Sequence, residues 1–143
     1  MNNFSRLAAI GLLSLSFCAA ASAADAPSLY QRLGGKDALT AVVNELWATV
    51  AQDARINARF AQTNPQVFGS QLVDFLCQAS GGPCQYKGQD MKAAHAGMKL
   101  SDAEFSALAE DTAKTLDKFK VPAAEKGEVM NLLGSLKGDV VNR

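Results

Sequence analysis

The chain has 143 residues, 48% hydrophobic and 20% charged, which fits one ordinary folded domain and is too short for two. Basic and acidic side chains both number 14 and no basic run stands out. Nucleic acid, which needs a concentrated positive field, is therefore excluded as a partner.

Residues 1–23 read as a secretory signal peptide. "MNNFSRL" carries one positive charge, "AAIGLLSLSFCAA" is a short apolar run, and Ala21-Ser22-Ala23 forms a small-residue cleavage site. The run is short for a membrane span and no second one follows, so no stable membrane insertion is expected after cleavage. Phe17 precedes Cys18 where a lipid-attachment motif needs a small residue, which argues against a lipoprotein. The expected product is one exported, periplasmic domain, residues 24–143, left near neutral by the loss of Arg6. It keeps Cys77 and Cys84. An even pair in an oxidising compartment reads as a disulfide, and the helix-breaking "CQASGGPC" lets the chain fold back; two unrelated thiols are the alternative.

Along the remainder, "SLYQRLGG" reads as one or two helical turns stopped by Gly34-Gly35. "KDALTAVVNELWATVAQD" places Leu39, Val42, Val43, Leu46, Trp47 and Val50 in one helical stripe. "ARINARF" is a short turn ending near Phe60. "NPQVFGSQLVDFLCQAS" is a helix with Val67 or Phe68, Gln71 or Leu72, and Phe75 or Leu76 on one side, ended by Gly81-Gly82-Pro83. After a loop through Tyr86 and Gly88, a short helix over Gln89 to Ala96 carries His95, the only histidine. Ser101 and Glu104 form a capping box that opens a helix to about Phe119, with Phe105, Leu108, Ala109, Thr112, Leu116 and Phe119 inward. Pro122 is read as the first residue of a last helix, with Val129, Met130, Leu133, Leu136 and Val140 inward. No segment alternates like a strand. The expected fold is all-α.

Catalytic motifs are absent: there is no G-x-S-x-G elbow, no P-loop and no H-E-x-x-H. Glu110-Asp111 and Asp74 read as charges on solvated helix faces. A thiol nucleophile would need Cys77 or Cys84 free beside His95, and a zinc site would need a fourth ligand. A single imidazole does suit haem, whose ring supplies four nitrogens and leaves one axial position for the protein. On its own, however, a lone histidine is as well explained as a structural residue.

The mature chain resembles the truncated globins, group I, across nearly its whole length. The similarity rests on "SLYQRLGG", "AVVNELW", "ARF", "DFLCQASGGP", "YKGQDMKAAHAGMKLSDAEF" and "FKVP". Most specific is the run Gly81, Gly82, Pro83, Tyr86, Gly88, Met91, His95. The resemblance implies a two-over-two helical sandwich around haem b, with His95 as the proximal iron ligand. It implies that Phe60 packs on the ring, that Tyr86 and Met91 border it with Tyr86 reaching a propionate, and that Phe75, Leu76, Leu100, Phe105 and Val129 line the pocket. With no CxxCH motif the haem is not held as in c-type cytochromes.

On the opposite, distal side the pattern departs from the family. Group I members usually place a tyrosine on the second helix and a glutamine on the distal helix; Trp47 and Leu72 stand at those positions here, and Phe68 faces the ligand one turn earlier. A one-residue shift would bring in Gln71 instead. A hydrogen bond to a ligand carrying partial charge contributes about 1–3 kcal/mol. Trp47 offers one N–H donor, Leu72 and Phe68 none. The expectation is a largely apolar distal pocket with faster oxygen loss and a relative preference for carbon monoxide and nitric oxide; the alternative is that Trp47 supplies the missing donor. A second histidine ligand is excluded, while a methionine or lysine sixth ligand stays open.

The function expected is reversible binding of oxygen, nitric oxide or carbon monoxide, for oxygen transport or storage or for nitric oxide detoxification. Nitric oxide dioxygenation would be the enzymatic form, needing a reductase or other electron donor that the sequence does not identify. A periplasmic haem electron-transfer or haem-carrier protein, and a cofactor-free helical interaction module, are the alternatives.

Overall fold

The computed structural model describes residues 26–143, so the leader assigned to residues 1–23 and its cleavage site lie outside the described residues. In chain order come α1 (Leu29–Arg32), α2 (Gly35–Gln52), a 3-10 turn (Asn57–Phe60), α3 (Pro65–Ala79), α4 (Met91–Ala94), α5 (Asp102–Lys118), α6 (Ala123–Ser135) and α7 (Lys137–Val140). The fold is all-α. Among the described residues the only strand-like feature is an isolated parallel bridge between Leu100 and Val141.

Helix α2 is the common wall. Its stripe buries Leu39, Val43 and Val50 and half-buries Val42, Leu46 and Trp47. Two separate clusters grow from it. Leu39 and Val43 meet Val73 and Cys77 of α3, with Tyr30, Leu33, Leu72, Leu76 and Cys84 around them. Val50 meets Ile56 and Ala107 of α5, with Leu46, Phe60 and Leu108 beside them. Helices α5 and α6 pack on each other, whereas α3 makes no substantial contact with either. The α2–α3 pair therefore lies over the α5–α6 pair, joined along α2 and held open on the α3 side.

Local chemistry sets the ends. Asn64 caps α3, accepting from the N–H groups of Gln66 and Val67, and Pro65 fills the first helical position. The far end closes in a Schellman arrangement: Gly82 N–H donates to Cys77 O at 2.7 Å and Gly81 N–H to Gln78 O at 3.2 Å. Gly81 has φ +83°, and a Cβ on Gly82 would stand 2.7 Å from both Cys77 Sγ and the Tyr30 ring. The tight reversal brings Cys84 back onto α3, where it is bonded to Cys77 with Cα atoms 5.7 Å apart.

Several sequence expectations are revised. Gly34 does not merely stop α1; it is the left-handed cap of α2, and Gly35 is its first residue. His95 lies not inside its helix but at its C-cap, because α4 ends at Ala94. Pro122 is a cap rather than the first residue of α6. The last helix breaks at Leu136, between Gly134 and Gly138, which weaken the helix around it. Val67 is 54% exposed and Phe119 42%, so neither faces inward. On α5 the deepest stripe is Ala107, Asp111 and Thr115, facing α2, while Leu108, Ala109 and Thr112 are only half-buried. Asp111, read as solvated, is 2% exposed. A helix wedged between two neighbours has two inner faces, and a single apolar arc describes only one of them.

Candidate functional site

Asp90 caps α4 by accepting from Ala93 N–H at 2.7 Å, which starts one short turn ending on His95. The half-buried imidazole donates its Nδ1–H to the Met91 carbonyl at 2.7 Å. A carbonyl can only accept, so in the neutral ring the proton is on Nδ1 and Nε2 carries the free lone pair. This is the tautomer and the fixed orientation that a metal-ligating histidine requires.

Across the fold, Trp47 of α2, Phe60 of the 3-10 turn and Phe68 of α3 form a triangle of rings. Their centroids are 5.9 Å apart for Trp47–Phe60, 5.5 Å for Trp47–Phe68 and 5.7 Å for Phe60–Phe68, all edge-on or tilted. Phe68, Leu72, Phe75 and Leu76 share one half-buried face of α3, while Gln71 is exposed. The structure thus turns Leu72 inward and Gln71 to solvent.

The loop between α3 and α4 is tied back onto α3. Tyr86 N–H donates to Gln78 Oε1 at 2.8 Å, and the Tyr86 ring stands edge-on to Phe75 at 5.3 Å. Its hydroxyl donates to the Gln89 carbonyl at 2.8 Å. Met91, Leu100 and Val129 are half-buried. Phe105 is buried, with the Lys137 ammonium 6.0 Å from its ring centre. Two features escaped the sequence reading. Met98 is half-buried beside His95, and Arg59 reaches both the Met98 carbonyl and Glu104. Both lie in stretches that carry the family resemblance, but neither was given a role there, because both partners of Arg59 are distant in sequence.

The sequence profile of the bacterial-like globins matches residues 28–142. A group 1 truncated hemoglobin of Tetrahymena thermophila is 33% identical over 117 residues, covering 82% of this chain and 97% of that protein. The chain belongs to the group 1 truncated haemoglobin family. A second relative, the group 1 truncated hemoglobin of Nostoc commune, is 32% identical over 116 residues, 81% of this chain and 98% of its own. The crystal structure of Tetrahymena pyriformis truncated hemoglobin in its Fe(III) form superposes with a TM-score of 0.79 at 32% identity, covering 82% of this chain and all of that one. The Synechococcus 2/2 hemoglobin, solved with covalently attached heme, gives 0.76 at 33% identity over the same shares.

Haem b is the usual cofactor of that family, and the residues here fit it. None of the thirteen residues of α6 is fully buried despite Val129, Met130, Leu132 and Leu133. The apolar face of α3 is likewise only half-covered, and α3 stands off from α5 and α6. Two half-covered apolar helix faces and an imidazole with a free lone pair on Nε2 suit a flat apolar macrocycle.

Proposed function

We propose that this protein binds haem b through His95 Nε2 and takes a diatomic gas on the side lined by Trp47, Phe60, Phe68 and Leu72. Membership of the truncated globins supports haem-based gas binding in general. The observation that carries the finer reading is the Nδ1–H bond from His95 to Met91 O, which presents a lone pair on Nε2. Bound haem supplies the iron centre at which a gas ligand is held.

The chain's own residues shape that centre. Met91 O holds the proximal imidazole in one orientation. The faces of α3 and α6 exclude water, and the aromatic triangle covers the distal side with carbon and a single N–H. An apolar distal side supports weak retention of oxygen and a relative preference for nitric oxide and carbon monoxide. Transport or storage of oxygen and detoxification of nitric oxide both use this arrangement; detoxification also needs an electron donor, for which a reductase is the natural class. Residues 1–23 support export to the periplasm, where the Cys77–Cys84 bridge would persist.

Absorption spectra of the haem-loaded mature chain beside His95→Ala test the reading. Wild type should give a Soret band and, as the ferrous protein, a five-coordinate histidyl spectrum that the variant loses. A colourless protein that ignores added haemin, or a variant with an unchanged spectrum, would overturn it.

A further inference from the structure

Arg59 stands next to Phe60 on the side of the aromatic triangle, yet its guanidinium serves the opposite side. Its Nη1 donates to the Met98 carbonyl at 3.3 Å. Nε and Nη2 donate to the two oxygens of Glu104 at 2.5 and 3.2 Å. Glu104 Oε2 also accepts from Ser101 N–H at 2.8 Å and from its hydroxyl at 2.9 Å, closing the capping box of α5. Met98 N–H donates to the carbonyl of His95 itself at 3.1 Å. One side chain therefore joins the distal 3-10 turn, the first turn of α5 and the main chain that carries the imidazole.

The segment it grips has little other support. Helix α4 has ended at Ala94, Gly97 adopts φ +80° and Lys99 φ +48°. From His95 to Lys99 the main chain is held by turn bonds within 91–98, the first being His95 N–H on Met91 O at 3.1 Å, by Lys99 N–H on Arg143 O, and by Arg59. A guanidinium presents its donors in a rigid planar fork, so it can hold a carboxylate and a carbonyl at once in fixed geometry; an ammonium cannot.

We infer that Arg59 is a positioning residue for His95, setting the height and tilt of the imidazole by clamping the 95–98 turn to the 3-10 turn. This rests on His95 being the axial ligand. The ion pair with Glu104 is partly exposed, and such pairs add little to stability. What Arg59 adds beyond that pair is geometry at the iron's protein ligand.

The test uses the haem-loaded protein and reads the iron–histidine stretching band of the ferrous form by resonance Raman, the rate of haem loss to an acceptor globin, and Tm. Arg59→Met removes both contacts, Arg59→Lys keeps the charge without the fork, and Glu104→Gln removes only the partner's charge. Arg59→Met should shift and broaden the band and speed haem loss by about tenfold, the scale of a lost outer-shell partner. Arg59→Lys should fall between it and wild type, and Glu104→Gln should change both Tm and the band little. A band and haem-loss rate unchanged in Arg59→Met, or moved equally by Glu104→Gln, would overturn the clamp. Should Arg59→Met fail to fold, the comparison of Arg59→Lys with Glu104→Gln decides in the same way. Absence of the band from wild type, or its survival in His95→Ala, would instead remove the premise that His95 binds the iron.

Discussion

Trp47 owns the only N–H in the aromatic triangle, and its ring is engaged by Phe60 edge-on and by Phe68 at a tilt of 48°. Rings locked this way supply bulk more readily than a donor free to follow a ligand. We therefore expect Trp47→Phe to leave oxygen dissociation nearly unchanged in stopped-flow measurements, with carbon monoxide equally indifferent. A hydrogen bond to a charged acceptor contributes about 1.5–3 kcal/mol, so a donor role would appear as acceleration of about tenfold or more for oxygen alone. His95 is the complementary case. Its place as the candidate ligand was legible from the family resemblance, but its tautomer was not, because that depends on where the Met91 carbonyl points.

Helix α3 was read well from its period and its terminating glycines, because both signals act within a few residues. What the sequence left open was which of Gln71 and Leu72 turns inward. That follows from Val73 and Cys77 locking against Leu39 and Val43, a contact between helices that no local pattern contains. The α5 stripe was misread for the same reason: Ala107 and Asp111 look unremarkable until α2 lies against them. At the end of α3, Gly82→Ala should cost about 1–3 kcal/mol by overpacking Cys77 and Tyr30, read as a fall in Tm. Gly127→Ala, in helix α6 with open space where its Cβ would go, should instead gain up to about 1 kcal/mol. Equal shifts in the two variants would show that the close approach at Gly82 does not matter.

For the whole molecule, acid and base act on different carboxylates. Arg59 and Ser101 hold Glu104 down at about 2, from an ordinary 4.5, and Arg55 holds Asp53 at about 2. Each binds protons less readily folded than unfolded, so the stability each contributes is present above the ordinary carboxyl range and is lost as pH falls towards 2. Asp111 runs the other way. Burial, then the charge of Asp53, raises it against the pull of Lys114, whose ammonium is 3.5 Å from Oδ1, and its Oδ2 has no hydrogen-bond partner among the described residues. Its contribution is complete below the ordinary value of 3.8 and is lost as pH rises through the raised folded value. Asp111→Asn, which can donate to Asp53 without ionising, should be more stable than wild type at neutral pH by on the order of 1 kcal/mol, with the advantage shrinking in acid. Parallel curves of Tm against pH for the two proteins would sink this account.

Both apolar clusters are rooted in α2 and neither needs α3 to touch α5, so each outer helix answers to α2 and not to the other. Helix α2 holds α3 through Val43 and Val73, and α5 through Val50 and Ala107, as two separate sets of contacts. A globin built this way is a pair of boards joined along one edge, so a substitution in one cluster, such as Val73→Ala, leaves the contacts of the other intact.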